Sequence, residues 1–232
     1  MDSRLKWLFV RLVLAVVVVG WGVSYLFPSR SAEKEFQKTL DAMKQVRSAH
    51  VVSVADPYST QHIESSWDLV CAQDAYRYKM HVVQSGPENR GELENEELHV
   101  GAAVYQHRSD DSWRPQINYG MSPTTVCRTL AQGAETGILP DIATMIKRGI
   151  LDKGDKKVVD GVRCREWKVT MRGGPTGLEH DTVCLGLDDY LPYEMTVDWT
   201  HSRTTYSDYN SSTQLDLPSA ALQPASANSG SN

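Results

Sequence analysis

The side chains of this chain that could do chemistry are few: four cysteines, seven histidines and two adjacent pairs of aspartates, Asp110-Asp111 and Asp188-Asp189. Paired carboxylates can share general acid and base work. Acids placed beside Ser112, or ahead of Tyr190-Leu191-Pro192, also read as solvated turn formers. Glu96, Glu97 and His99 are close enough in sequence to suggest a metal cluster, but the histidines lack the helical HxxxH spacing of a zinc site. No GxSxG elbow, HExxH, phosphate loop or dinucleotide fingerprint is present. Neither catalysis nor a cofactor nor a bound metal is expected. Asn210-Ser211-Ser212 is a glycosylation sequon, meaningful only on a eukaryotic secretory route.

The cysteines point elsewhere. None lies in a CxxC or zinc-like spacing, so their even number reads as disulfides in an oxidising compartment, with free buried thiols as the alternative. Folding Gly173-Gly174-Pro175 as a turn sets Cys164 opposite Cys184, Trp167 opposite Asp181 and Arg165 opposite Val183. A facing, non-hydrogen-bonded pair reaches disulfide distance. Cys71 and Cys127 are the two that remain, and they are expected to tie a helical insert to the end of a strand.

The elements that position these residues follow from periodicity. Strict alternation predicts strands with one apolar face. Trp167, Val169 and Met171 share a parity; so do Val183, Leu185 and Leu187, and then Tyr193, Met195, Val197 and Trp199. Glu166, Lys168, Thr170, Glu194, Thr196, Asp198 and Thr200 occupy the other face. Earlier in the chain, Ile63, Ser65, Trp67, Leu69 and Cys71 alternate with polar residues, and Tyr76, Tyr78, Met80 and Val82 follow. Closing that hairpin pairs Leu69 with Tyr76 and Trp67 with Tyr78. His50, Val52 and Val54 lead to a turn at Asp56-Pro57, residues 85–95 read as an acidic loop, and Leu98, Val100, Ala102 and Val104 read as one strand. A helix is expected over 31–47, with Phe36, Leu40, Met43 and Val46 on one stripe. Ser122-Pro123 opens a second helix carrying Val126, Cys127 and Leu130, and a third covers 140–147.

Residues 12–27 are uncharged, and with 8–10 they reach the lower limit of about 17 residues for a bilayer span. Arg11 interrupts the run near its cytoplasmic end, and Arg4 and Lys6 precede it, which places the remainder outside. Two readings stay open: an uncleaved signal anchor, and a signal peptide for which Ser29 and Ser31 are a poor cleavage site. The division is therefore 1–30 targeting segment, 31–216 folded domain and 217–232 disordered tail, the last rich in Ala, Ser, Asn and Gly. The net charge of −5, with no basic stripe, argues against a nucleic-acid partner.

The order helix, antiparallel strands, helical insert, antiparallel strands gives an α+β chain with a single curved antiparallel sheet covered by its helices. It resembles the LolA-like fold of periplasmic lipoprotein carriers and mycobacterial lipid-carrying lipoproteins. The resemblance rests on LDAMKQVRSAHVVSV (40–54), VVDGVRCREWKV (158–169), LPYEMTVDW (191–199) and TTYSDYN (204–210), and spans 33–218. It implies a half-open β-barrel whose concave face is closed by the N-terminal helix and a helical lid. It also implies a monomer in the cell envelope that holds an acyl chain or a lipidated partner against Trp67, Leu69, Tyr76, Tyr78, Met80, Val104, Trp167, Val169, Val183, Leu185, Tyr193, Met195, Val197 and Trp199. The chain departs from that family in its anchor, its four cysteines and its lack of a lipobox. Those departures admit a regulatory or scaffold domain with a filled core and a protein partner.

Overall fold

The computed structural model describes residues 28–58, 60–86, 90–117, 121–132, 138–172 and 177–218. The targeting segment through residue 27, the Gly173-Gly174-Pro175 turn and the tail beyond residue 218 lie outside them. No helix of the described residues is long and apolar enough to cross a membrane.

Helix α1 (Pro28–Met43) precedes β1 (Ser48–Tyr58), β2 (Gln61–Val70), a 3-10 turn (Cys71–Gln73), β3 (Ala75–Ser85), β4 (Arg90–Val100), β5 (Ala103–His107) and β6 (Trp113–Gln116). The insert supplies α2 (Pro123–Ala131) and α3 (Ile142–Arg148). Then come β7 (Ile150–Val159), β8 (Val162–Arg172), β9 (Leu178–Gly186), β10 (Pro192–Val197) and β11 (Ser202–Ser207). Among the described residues these make one antiparallel sheet of eleven strands, ordered β6-β5-β4-β3-β2-β1-β11-β10-β9-β8-β7. Each neighbour pair is a local hairpin except β1 with β11, where Val51 faces Tyr206 and joins the two runs of strands. The sheet curves over its helices without closing, since β6 and β7 are its two edges.

Local chemistry explains most of the turns. Asp160-Gly161 links β7 to β8 with φ of 47° and 83°, the doubly positive geometry that a two-residue hairpin of native twist requires. Ser122 caps α2, its hydroxyl accepting from the Thr125 N–H at 3.3 Å, and Asp141 caps α3 through the Thr144 N–H at 2.9 Å. The two acid pairs serve their turns: Asp110 accepts from the Ser112 N–H and from Arg114, and Asp189 accepts from the Leu191 N–H and the Tyr193 hydroxyl.

Several sequence expectations need correction. The β2–β3 hairpin has the expected register, but β8 and β9 are offset by two residues from it. Cys164 faces Gly186, Trp167 faces Val183 and Val169 faces Asp181. An even offset leaves every side chain on its face, so the parity stands and the disulfide forms across a diagonal, with Cα atoms 5.5 Å apart. β1 continues through Asp56-Pro57 to Tyr58 by way of an irregularity after Ala55, and its inward residues are Ala49 and Val51 rather than His50 and Val52. The acidic stretch from Arg90 is strand, not loop, because β3 supplies a partner for each of its residues. The single strand expected over 98–104 is a hairpin turning at Gly101-Ala102, with Val100 paired to Ala103.

The main core lies between the sheet and α1, α2 and α3. The outer face carries two smaller clusters. Val159 packs on the Cys164–Cys184 disulfide. Val70, Ala75 and Leu98 are covered by Leu215, whose backbone N–H and C=O both bond the Gln73 amide, at 2.7 and 3.1 Å. Between these clusters Lys157 bridges Glu166 and Glu194 at 2.8 and 2.6 Å, and Arg203 also pairs with Glu194. Asn210 of the sequon is used structurally, its side-chain oxygen accepting from the Arg47 N–H at 2.6 Å.

Candidate functional site

The covered face has a filled half and an open half. Over β7 to β10, α1 and α3 press Phe36, Ile142 and Met145 onto Trp167, Val169, Val183 and Leu185, all at most 3 % exposed. Phe36 meets Trp167 edge to face at 5.5 Å. Burial of this kind is worth about 1.5–3 kcal/mol per side chain and leaves a ligand no access.

Over β10, β11, β1 and β2 the cover lifts. Residues 138–145 overhang a cleft of ≈ 330 Å³ lined by Val51, Ser53, Trp67, Leu139, Met145, Met171, Met195, Thr204 and Tyr206. A second cleft of ≈ 370 Å³ continues across β2 to β6, lined by Trp67, Tyr76, Tyr78, Glu97, His99, Val104, Gln106 and Gln116. Trp67 belongs to both and stacks on Tyr78 at 4.9 Å. Each volume falls at the small end of the range for ligand pockets, and the two together are well inside it.

The floor of the second cleft is polar and directional. Gln116 donates to Gln106 at 3.1 Å, Gln106 to Asn95 at 2.8 Å, and Asn95 to Glu97 at 3.0 Å. On its other side Glu97 faces His99 Nε2 at 3.3 Å, and His99 Nδ1 lies 2.9 Å from the Tyr76 hydroxyl. A carboxylate only accepts, so His99 carries its proton on Nε2, and its Nδ1 shares the Tyr76 hydroxyl proton with the Met121 carbonyl at 3.2 Å. Burial pulls the His99 pKa below its ordinary value, against the pull of Glu97. Burial, aided by Glu97, pushes Tyr76 up to about 12. The imidazole is therefore neutral at neutral pH, and the network has one anion, Glu97, at its focus.

The metal cluster suggested by Glu96, Glu97 and His99 is not assembled. Strand alternation sends Glu96 to the outer face, where it pairs with Arg77, Lys79 and His107. The described residues do bring His81, Glu92 and Glu94 within 4.8 Å of one another on that outer face. Those residues come from two strands, which sequence spacing does not reveal. Asp181 was missed for a similar reason. It is 3 % exposed, it faces Val169 and Val197, and its Oδ1 has no hydrogen-bond partner. Burial, with Glu179 and Asp198 nearby, raises its pKa to about 6. Its place in an apolar alternation was the available signal.

No protein-family model matches the chain, and no curated protein matches it. Solved structures do. LprF from Mycobacterium bovis superimposes with a TM-score of 0.59 at 14 % identity, covering 82 % of this chain and 98 % of that one. The Mycobacterium tuberculosis lipoprotein LppX gives 0.52 at 15 % identity, covering 81 % and 99 %. The chain has the LolA-like fold.

In LolA-like terms, α1 closes one half of the barrel and the insert is the lid over it. The lid is tethered by the Cys71–Cys127 disulfide and by the Thr124 hydroxyl on Asp74 at 2.7 Å. Ile142 and Met145 of its second helix are core residues, so α3 forms a wall of the cleft. The side chains singled out from the sequence divide accordingly. Trp67, Tyr76, Tyr78, Val104 and Met195 line the clefts, while Leu69, Trp167, Val169, Val183 and Leu185 are packed core. Met80 and Val197 are half-buried on the same face, beyond the clefts. Tyr193 sits at the irregularity between Pro192 and Glu194. Trp199 is off the face altogether: β10 ends at Val197, and Trp199 lies in the following turn, 54 % exposed.

Proposed function

We propose that this chain is an extracytoplasmic binding protein that holds an acyl chain, of a lipid or a lipidated partner, in the cleft around Trp67. The observation that carries this reading is the uneven cover of the sheet. The same helices that seal Trp167 and Val183 leave Val51, Trp67, Met171, Met195 and Tyr206 bordering open volume. Such a lining gains about 0.8 kcal/mol per buried methylene without any specific polar contact, and methionine adapts to chains of varied shape. The two disulfides suit an oxidising compartment, and the N-terminal apolar run would tether the domain to the inner membrane. The LolA-like fold supports the reading.

Native mass spectrometry of the purified chain tests this. Bound species of lipid mass should be present, and should disappear in Ser53→Trp, which fills the cleft from β1 while leaving α1 and α3 in place. A ligand-free spectrum unchanged by added long-chain lipid would favour the second reading, a scaffold with a protein partner. The solid packing of the Trp167 half is in that reading's favour.

A further inference from the structure

The large apolar side chains left in water are not scattered. Eight are strongly exposed among the described residues, and five of them stand on one rim of the barrel. That rim is where the β1–β2, β3–β4, β5–β6, β8–β9 and β10–β11 hairpins close and where β7 begins. Tyr58, Leu178 and Trp199 stand at three of these hairpin ends, Leu93 lies three residues into β4 opposite Val82, Ile150 opens β7, and the β5–β6 turn carries Asp110 and Asp111 instead. All five are between 48 % and 70 % exposed. On the opposite rim, among the described residues, Val158 beside the β7–β8 turn and Ile117 at the end of β6 are comparable. Four of the five hairpins of this rim thus carry an exposed apolar side chain.

The chain before the domain arrives at the same rim. Glu35 of α1 pairs with Lys153 of β7 at 3.5 Å. Seven residues of helix from Glu35 back to Pro28 cover about 10 Å, and three of strand from Lys153 back to Ile150 also cover about 10 Å. The two paths run the same way, because α1 leads into β1 at the opposite rim. Pro28 thus comes level with Ile150, and the uncharged run of residues 12–27 joins the domain there. Lys147 and Arg148, exposed in the last turn of α3, immediately precede Ile150. Asp56, Glu92 and Asp198 share the rim, so it has no net basic character.

We infer that this rim is a membrane-contacting surface: the domain stands on a lipid bilayer with Tyr58, Leu93, Ile150, Leu178 and Trp199 in the interfacial layer. Tyr and Trp favour that layer because their rings are apolar and their polar atoms stay wet. Apolar insertion drives the contact rather than attraction to anionic headgroups, given the mixed charge. Docked in this way, the barrel turns one end of its cleft to the lipid, since Met171, which lines the cleft, is the last residue but one of β8.

The test uses the full chain reconstituted in phosphatidylcholine vesicles. The four native cysteines are all in disulfides, so an introduced cysteine can be labelled selectively. Tyr58→Cys, Leu93→Cys and Trp199→Cys, each carrying an environment-sensitive fluorophore, should lose emission when the vesicle lipid is brominated. Val158→Cys, on the opposite rim, should not. Equal quenching at both rims, or none at 58, 93 and 199, overturns the proposal. So does a signal at those sites that follows protein concentration in unbrominated vesicles, which would mean that a second copy covers the rim. The pattern should persist in a Ser53→Trp background, so that failure of the lipid-holding reading and failure of this one are told apart.

Discussion

Replacing Asp181 with Asn should change stability by an amount that depends on pH in one direction only. The folded carboxyl has a pKa of about 6 against an ordinary value of 3.8. The raised value means that the folded state binds the proton more tightly than the unfolded chain does. Stability from this group is therefore fully present below pH 3.8, is lost as pH rises through 6, and stays lost above it. About two units of difference at 1.36 kcal/mol each put the loss at about 3 kcal/mol at neutral pH, as an upper figure. Asn keeps an oxygen for the N–H of Asp198, which bonds the carboxylate in the native chain, and it cannot ionise. Urea unfolding followed by tryptophan fluorescence between pH 4 and pH 8 measures both proteins. The variant's stability relative to the native chain should rise across pH 4 to 6 and level off by pH 7. Any constant offset from the unpaired amide N–H is immaterial, because only the slope tests the argument. A flat difference across that range would refute it and would mean that a partner or water meets Oδ1 in solution.

Two further outcomes separate core from surface and tether from wall. Trp167→Ala should cost about 3–5 kcal/mol, because Trp167 is 1 % exposed and braced by Phe36, whereas Trp199→Ala should stay within about 0.5 kcal/mol of native; urea midpoints of the two variants check this. Replacing Cys71 and Cys127 together with serine removes a crosslink of sequence separation 56, with an expected loss of about 2–4 kcal/mol. Amide exchange should then quicken in α2 and remain slow in α3, where Ile142 and Met145 still anchor the helix; equal loosening of both would mean that the disulfide holds the whole insert.

The sequence by itself determined which way the side chains of β2, β3, β8, β9 and β10 face, the two cysteine pairs and the order of the elements. Those follow from a period of two, from hairpin symmetry and from the count of cysteines, all local properties. Its error in the β8–β9 hairpin shows the limit, since a two-residue offset leaves alternation untouched and only the pairing of Cys164 with Gly186 reveals it. The polar run from Arg90 to Glu97 carries no strand signal, because its strand state comes from hydrogen bonding to β3, which is nonlocal chemistry. Tertiary structure alone decided that one apolar face would serve as two different things. Trp167 and Trp67 have the same parity and comparable neighbours along the chain. One lies beneath α1 and α3, and the other lies where the cover lifts. Whether an apolar side chain becomes core or cavity wall depends on how far the helices reach across the sheet, and alternation along a strand records only that the residue points inward.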